Sequence, residues 1–187
     1  MEQRAFQFFF FAAIALFLPA TLLRAALSIG TTYSLGFEDI DGRNFSTADG
    51  HVTVLVVATT ADWEKARAVG ERIPDYCLGN PDYRMITIVR FIRKHAVIGR
   101  TVARAFIRHR VNEEARRLQT RYNAHNISRD AGSDIFVVTD FDGAISSKLD
   151  VEIGAEAFRV LVFARDGKLL AQWTDVPSAK QLAGVLK

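Results

Sequence analysis

The hydrophobic residues of this chain fall into runs whose spacing predicts strands and helices in alternation. Residues 51–60 are almost all β-branched or aliphatic, and the run is too short to span a membrane. It therefore predicts a strand buried on both faces inside an α/β sheet. Residues 83–92 and 134–139 form two further apolar runs that predict strands.

Helical spacing follows each of the first two runs. Asp62 stands where it can cap the first helix, whose apolar positions are Trp63, Ala66, Val69 and Ile73. Residues 94–122 predict a second, longer helix. Its inward positions are expected to be Ile98, Val102, Phe106, Val111, Ala115, Leu118 and Tyr122. A strand, a helix and a strand in this order imply a parallel pair with a right-handed crossover.

The clearest hairpin lies at residues 158–173, where Asp166 and Gly167 separate two apolar runs. An Asp-Gly pair in this setting is the strongest short-range signal of a hairpin. Residues 177–187 then predict a closing helix that begins with a proline.

An earlier hairpin is predicted at residues 37–46, where the turn is Asp41-Gly42. This hairpin, the buried strand and the turn after it resemble the opening of the thioredoxin-like redoxins. The later hairpin, with its second Asp-Gly turn, matches that family as well. The resemblance covers residues 36–187 and implies a thioredoxin-like α/β domain, with a central mixed sheet flanked by helices and one hydrophobic segment before it.

The catalytic marks of the redoxins are missing. Their active-site turn carries a Cys-x-x-Cys pair or a single peroxidatic cysteine, and these positions fall on Ala61 and Glu64, or on Trp63. With Asp62 they form a degenerate turn in which no side chain can supply a thiolate. The family's cis-proline position falls near Phe158. The resemblance thus implies the fold and argues against the family's usual reaction.

Cys77 is the one cysteine, so no internal disulfide can form. We expect it to be a small, partly buried residue near the end of the first helix. The alternative is a reactive thiol, in which case the protein would be a single-cysteine peroxidase or thiol transferase that uses Cys77.

The N-terminus predicts export. Residues 6–23 are apolar apart from three positions and follow a short start that contains Arg4. Residues 1–30 therefore predict a signal peptide or an N-terminal membrane anchor. Many bacterial redoxin-like proteins are exported, so the resemblance implies a periplasmic or otherwise extracytoplasmic domain. We expect residues 6–28 to tether it to the membrane.

The long helix is strongly basic, although the net charge of the chain is only +3. The arginines of interest are Arg100, Arg104 and Arg108 at four-residue steps, with Arg116 and Arg117 behind them. Like charges at this spacing repel one another, so helix stability does not explain the row. It is either a solvated face or a docking face for anionic lipid or an acidic partner protein. Nucleic acid is not expected, because base-reading motifs are absent.

Other chemistry finds little support. The four histidines are scattered without metal-ligand spacing, and no phosphate-binding glycine loop is present, so no metal or cofactor is predicted. Asp140 and Asp142 predict a plain turn more than a cation site. The sequence therefore predicts a redox-inactive thioredoxin-like domain that serves as a binding or structural subunit of a membrane-associated assembly.

Overall fold

A five-stranded mixed sheet organises the chain in the computed structural model, which describes residues 27–91, 97–149 and 158–187. The strands are β1 (Gly36–Glu38), β2 (Asn44–Ser46), β3 (Val52–Thr59), β4 (Tyr83–Arg90), β5 (Phe136–Asp140), β6 (Arg159–Phe163) and β7 (Leu169–Trp173). The helices are α1 (Trp63–Glu71), α2 (Val97–Ala124), α3 (Ala144–Lys148) and α4 (Ala179–Val185). The predicted anchor at residues 1–30 lies outside the described residues except for its last four. None of the described helices is both long and apolar enough to cross a membrane.

The order of the strands in the sheet is β5-β4-β3-β6-β7. Strands β3, β4 and β5 run parallel, while β6 and β7 are antiparallel to their neighbours. The predicted parallel pair is therefore confirmed, and the predicted hairpin is the pair β6 and β7. Strands β1 and β2 form a separate two-stranded hairpin, also as predicted.

The alternation of side chains along β3 places apolar residues in two cores. Leu55 and Val57 face the first core, which the β1–β2 hairpin and α3 help to cover. Val54 and Val56 face the second core, where α1 and α4 pack. The prediction that this strand is buried on both faces is confirmed.

A buried arginine fastens the hairpin loop to the sheet. The Arg84 side chain in β4 is only 5% exposed, and its guanidinium donates to both carboxylate oxygens of Asp49, at 2.8 and 2.7 Å. Its Nε also donates to Thr53 Oγ1 at 3.0 Å. Burial alone would raise the pKa of Asp49, but hydrogen bonds from Arg84, from the Ser46 amide and from His51 outweigh it and hold that pKa well below its usual range.

Several predicted boundaries shift for local reasons. Strand β5 begins at Phe136 rather than at residue 134, because Ala131–Asp134 forms a 3-10 turn that the Asp130 side chain caps. Helix α4 begins at Ala179, where Ser178 and Gln181 cap each other reciprocally. The first helix ends at Glu71, before Ile73.

The inward face of α2 differs from the prediction. Val102 is 65% exposed and Phe106 is 46% exposed, whereas Ile107 is fully buried. At 100° per residue, Ile107 lies on the same side of the helix as Val111 and Leu118, while Val102 and Phe106 lie on the opposite side. The predicted set was wrong because it combined two faces of the helix.

Candidate functional site

The degenerate turn, Ala61 to Glu64, covers the end of a 3-10 turn, Thr60–Asp62, which follows β3, and the first two residues of α1. The Asp62 carboxylate does not cap α1 as predicted, although Asp62 holds the N-cap position. It turns back and accepts from the Thr59 amide at 3.1 Å and from Thr59 Oγ1 at 2.6 Å. Ala61, at one of the two cysteine positions, is exposed. The turn is therefore closed by its own side chains and offers no nucleophile.

Trp63 and Glu64, at the other redox positions, take part in contacts that hold α1 in place. The Trp63 indole Nε1 donates to Glu114 Oε1 of α2 at 3.3 Å. Glu64 Oε2 lies 2.7 Å from Arg67 Nη1. Arg67 in turn pairs with Glu114 of α2. Trp63 therefore belongs to a contact between α1 and α2, whereas Glu64 pairs within α1.

Glu114 is the centre of this contact. Its Oε1 accepts from Arg67 Nε at 2.9 Å and from Nη2 at 2.7 Å, and both side chains are largely withdrawn from solvent. The hydrogen bond to Glu114 raises the pKa of Arg67, against the opposing effect of burial. The arrangement holds α1 and α2 together.

Phe158, near which the cis-proline position of the redoxins falls, is buried directly before β6. The Lys65 ammonium of α1 lies 5.4 Å from the centroid of its ring.

Cys77 lies beyond the opposite end of α1 from the turn. It is 6% exposed, as the prediction of a buried residue requires, and sits in the 3-10 turn Asp75–Cys77. Burial raises the pKa of its thiol to about 11. At neutral pH the thiol is therefore protonated and shielded, which makes it a poor nucleophile.

The five arginines predicted as a docking face do not form one surface. All are exposed, but Arg116 and Arg117 lie at least eight residues beyond Arg108, or about 12 Å along the helix, and point to other sides. Arg108 Nη2 lies 3.7 Å from Asp41 Oδ1, and the Arg100 guanidinium lies 5.5 Å from the Phe141 ring centroid. Arg100 thus lies beside the turn after β5, and Arg108 lies beside the turn of the β1–β2 hairpin.

The outer side of the first half of α2 is apolar. Val102 and Phe106 stand one turn apart and exposed, and the Arg110 guanidinium lies over the Phe106 ring at 5.5 Å. Residues 97–110 contain four arginines and no acid. At 100° per residue, Arg110 lies on the same side of the helix as Val102 and Phe106, whereas Arg100, Arg104 and Arg108 lie on other sides.

The turn after β5 satisfies its own polar groups. Asp140 is buried and accepts from the Ser146 amide and hydroxyl and from the Ile145 amide, while Asp142 Oδ1 accepts from the Ala144 amide. These contacts cap α3. In the ranges that the structure describes, no three histidine, cysteine or acidic side chains come together as metal ligands would.

Sequence reasoning missed the contact between Arg67 and Glu114. Glu113 and Glu114 are the only acids of α2, in a helix with seven arginines. The two acids could have indicated this contact, because an acidic side chain in a basic helix commonly pairs with a cation on the same face of the helix or on another element.

No model of a known protein family matches the chain, and no curated protein is significantly similar in sequence. Solved structures are similar in fold. A putative thioredoxin from Neisseria meningitidis is 13% identical, with a TM-score of 0.54 over 85% of this chain and 89% of that one. The pneumococcal exposed lipoprotein thioredoxin Etrx1 from Streptococcus pneumoniae is 12% identical, with a TM-score of 0.52 over 82% and 98%. StoA from Bacillus subtilis is 11% identical, with a TM-score of 0.51 over 84% and 99%.

Identities this low establish the fold alone. The chain has a thioredoxin-like fold, as the resemblance predicted, and its single cysteine excludes a Cys-x-x-Cys pair.

Proposed function

We propose that this chain is a redox-inactive thioredoxin-like domain that is exported, held at a membrane, and acts as a binding or structural subunit of an assembly there. One observation carries the proposal: Trp63, at a position the redoxins give to a cysteine, belongs to the contact between α1 and α2. Because this residue packs against α2 and the turn contains no thiol, the turn supports a role in binding rather than in thiol chemistry.

The burial of Cys77 argues against the alternative of a single-cysteine peroxidase or thiol transferase. Such an enzyme needs an exposed thiolate near a cation. Cys77 is buried, has a pKa of about 11, and is separated from the degenerate turn by the nine residues of α1.

Export is supported by the predicted segment at residues 1–30 and by the kind of proteins that share the fold. One similar solved structure is an exposed lipoprotein thioredoxin. In this proposal, residues 6–28 hold the domain beside the membrane.

The binding surface is the arginine row in the first half of α2, which we call the basic helix face: Arg100, Arg104 and Arg108. Arg104 is exposed and has no hydrogen bond or ion pair with any residue that the structure describes. Its charge is therefore free for a partner. We take an anionic membrane surface rather than an acidic protein as the partner, because the predicted N-terminal segment holds this helix beside lipid headgroups.

Hydrogen exchange tests this surface in the full-length chain, reconstituted in nanodiscs of anionic or of zwitterionic lipid. Amides of residues 97–110 should exchange more slowly in anionic discs, and the protection should fall as salt rises, because the Debye length shrinks to about 8 Å at physiological ionic strength and less above it. Replacing Arg100, Arg104 and Arg108 with glutamine should remove the protection. Arg116→Gln is the matched control and should retain it.

Equal exchange in both lipids, or protection that survives the triple replacement, would contradict the lipid-docking role. An acidic protein that co-purifies with the wild-type chain and is lost with the triple variant would instead identify the partner as a protein.

A further inference from the structure

A cavity of about 310 Å³ lies between α1, α2 and the floor made by β4 and β5. Strand β4 lies inside the sheet, so its side chains toward the helices would ordinarily be covered. Met85 and Thr87 are nevertheless partly exposed. The two helices therefore stand apart above β4 and leave space over the sheet.

Polar contacts bridge the gap between the helices at two places. Arg67 of α1 pairs with Glu114 of α2 at one place. At the other, Arg121 of α2 donates to the Gly70 carbonyl at 3.1 Å and pairs with Asp75 at 3.2 Å. Glu114 and Arg121 are seven residues apart, or roughly 10 Å along the helix. The roof is thus polar, whereas most of the space beneath it is not.

The walls of the cavity are mainly apolar, and the principal side chains are Trp63, Met85, Val111, Leu118, Ile135 and Val137. Arg117 also lines the cavity. It is exposed, and within the described ranges its side chain forms no hydrogen bond or ion pair. An apolar space with an unpaired cation at its edge is complementary to a molecule with an apolar body and an anionic end.

We propose that this cavity binds one single-chain amphiphile with a carboxylate head, of the fatty-acid class. The chain lies among Met85, Val111 and Leu118, where burial of methylenes is favourable, and the carboxylate lies at Arg117. The volume is at the small end of the range of about 300 to 1,000 Å³ for ligand pockets, which suits one acyl chain rather than a two-chain lipid. This site is separate from the basic helix face and does not depend on it.

Tryptophan quenching tests the site directly. Trp63 lines the cavity and Trp173 does not, so Trp173→Phe leaves one reporter in the full-length chain. Dodecanoic acid brominated on its chain should quench Trp63 saturably in nanodiscs of zwitterionic lipid. The Trp63→Phe chain, which reports through Trp173, should show only the unsaturable quenching of a bystander. Equal quenching curves for the two chains would overturn the proposal.

The head group is tested with two neighbouring arginines. Arg117→Gln should weaken dodecanoate binding about fivefold, the effect of losing one exposed ion pair. Arg116→Gln changes an exposed arginine that does not line the cavity, and should leave the affinity unchanged. Dodecanol, which has no charge, should bind both variants and the wild type alike. Equal losses for the two variants would place the carboxylate elsewhere and overturn the assignment.

The apolar site is tested by filling it. Leu118→Phe and Val111→Phe should each reduce binding of both dodecanoate and dodecanol at least tenfold, with circular dichroism used to confirm that the variants are folded. Either folded variant suffices for the test. Full binding by a folded variant would show that the chain does not occupy this cavity.

Discussion

Glu114 Oε1 of α2 lies 2.7 Å from Arg67 Nη2 of α1. The same oxygen accepts from Trp63, the first residue of α1 and one of the positions at which the redoxins place a cysteine. The contact therefore places a residue at one of the redoxin cysteine positions in the packing between α1 and α2.

Glu114→Gln should destabilise the domain by about 1 to 2 kcal/mol. The change leaves the Arg67 guanidinium largely buried without its counter-charge, and partial exposure of both groups keeps the cost below that of a fully buried pair. Urea unfolding of the full-length chain measures it. Glu113→Gln is the matched control, because in the part of the chain that the structure describes Glu113 pairs only with Arg110 and His109 of the same helix. It should leave the unfolding midpoint almost unchanged, and equal shifts for the two variants would refute the role of Glu114.

Asp49→Asn should cost about 1 to 3 kcal/mol at pH 7. The Arg84 side chain is buried, and the variant removes the carboxylate that balances its charge. The pH dependence has a definite sign. Because the pKa of Asp49 is lowered in the folded state, its contribution is complete above the unfolded value of about 3.9 and is lost as the pH falls below it. The stability gap between wild type and variant, measured by denaturant unfolding, should therefore narrow from pH 5 toward pH 2. If the difference in stability between wild type and variant stays constant over this pH range, the contact with Arg84 does not lower the pKa of Asp49.

The Cys77 thiol should react slowly with iodoacetamide in the folded protein. Burial raises its pKa to about 11, so its thiolate fraction at pH 8 should be on the order of a hundredfold below that of the unfolded chain. The rate should continue to rise with pH beyond 10. The raised pKa also means that this group's stabilising effect is present below about pH 8.5 and is lost as the pH rises toward 11. If the alkylation rate of Cys77 in the folded protein instead has its pH midpoint near 8.5, the result would support the alternative of a reactive Cys77.

The sheet could be predicted from sequence because its strands consist mostly of apolar residues and its turns contain residues that favour turns. Val54 to Val57 show burial on both faces directly, and Asp166-Gly167 fixes a hairpin. Helix α2 was predicted less well. Arginine and alanine occupy much of it, so its apolar period is faint, and Val102 and Phe106 were assigned inward although they face outward.

The candidate site could be located in the sequence, but its contacts could not. The place of the degenerate turn follows from the order of elements, and the absence of cysteine is visible in the letters Ala61 to Glu64. The contact of Trp63 with Glu114 joins residues 51 positions apart. Its geometry depends on how far α1 and α2 stand from each other, which no local pattern encodes. The cavity over Met85 is hidden from the sequence for the same reason.

The most direct test of redox inactivity is the rate of insulin reduction by dithiothreitol in the presence of the full-length chain. We predict no acceleration by the wild type or by Cys77→Ser, because the degenerate turn has no thiol and Cys77 is buried. A chain with Ala61→Cys and Glu64→Cys, made on the Cys77→Ser background, serves as the matched control for thiols at the turn. Acceleration by the wild-type chain above the uncatalysed rate would contradict the proposed function, whether or not it survives Cys77→Ser.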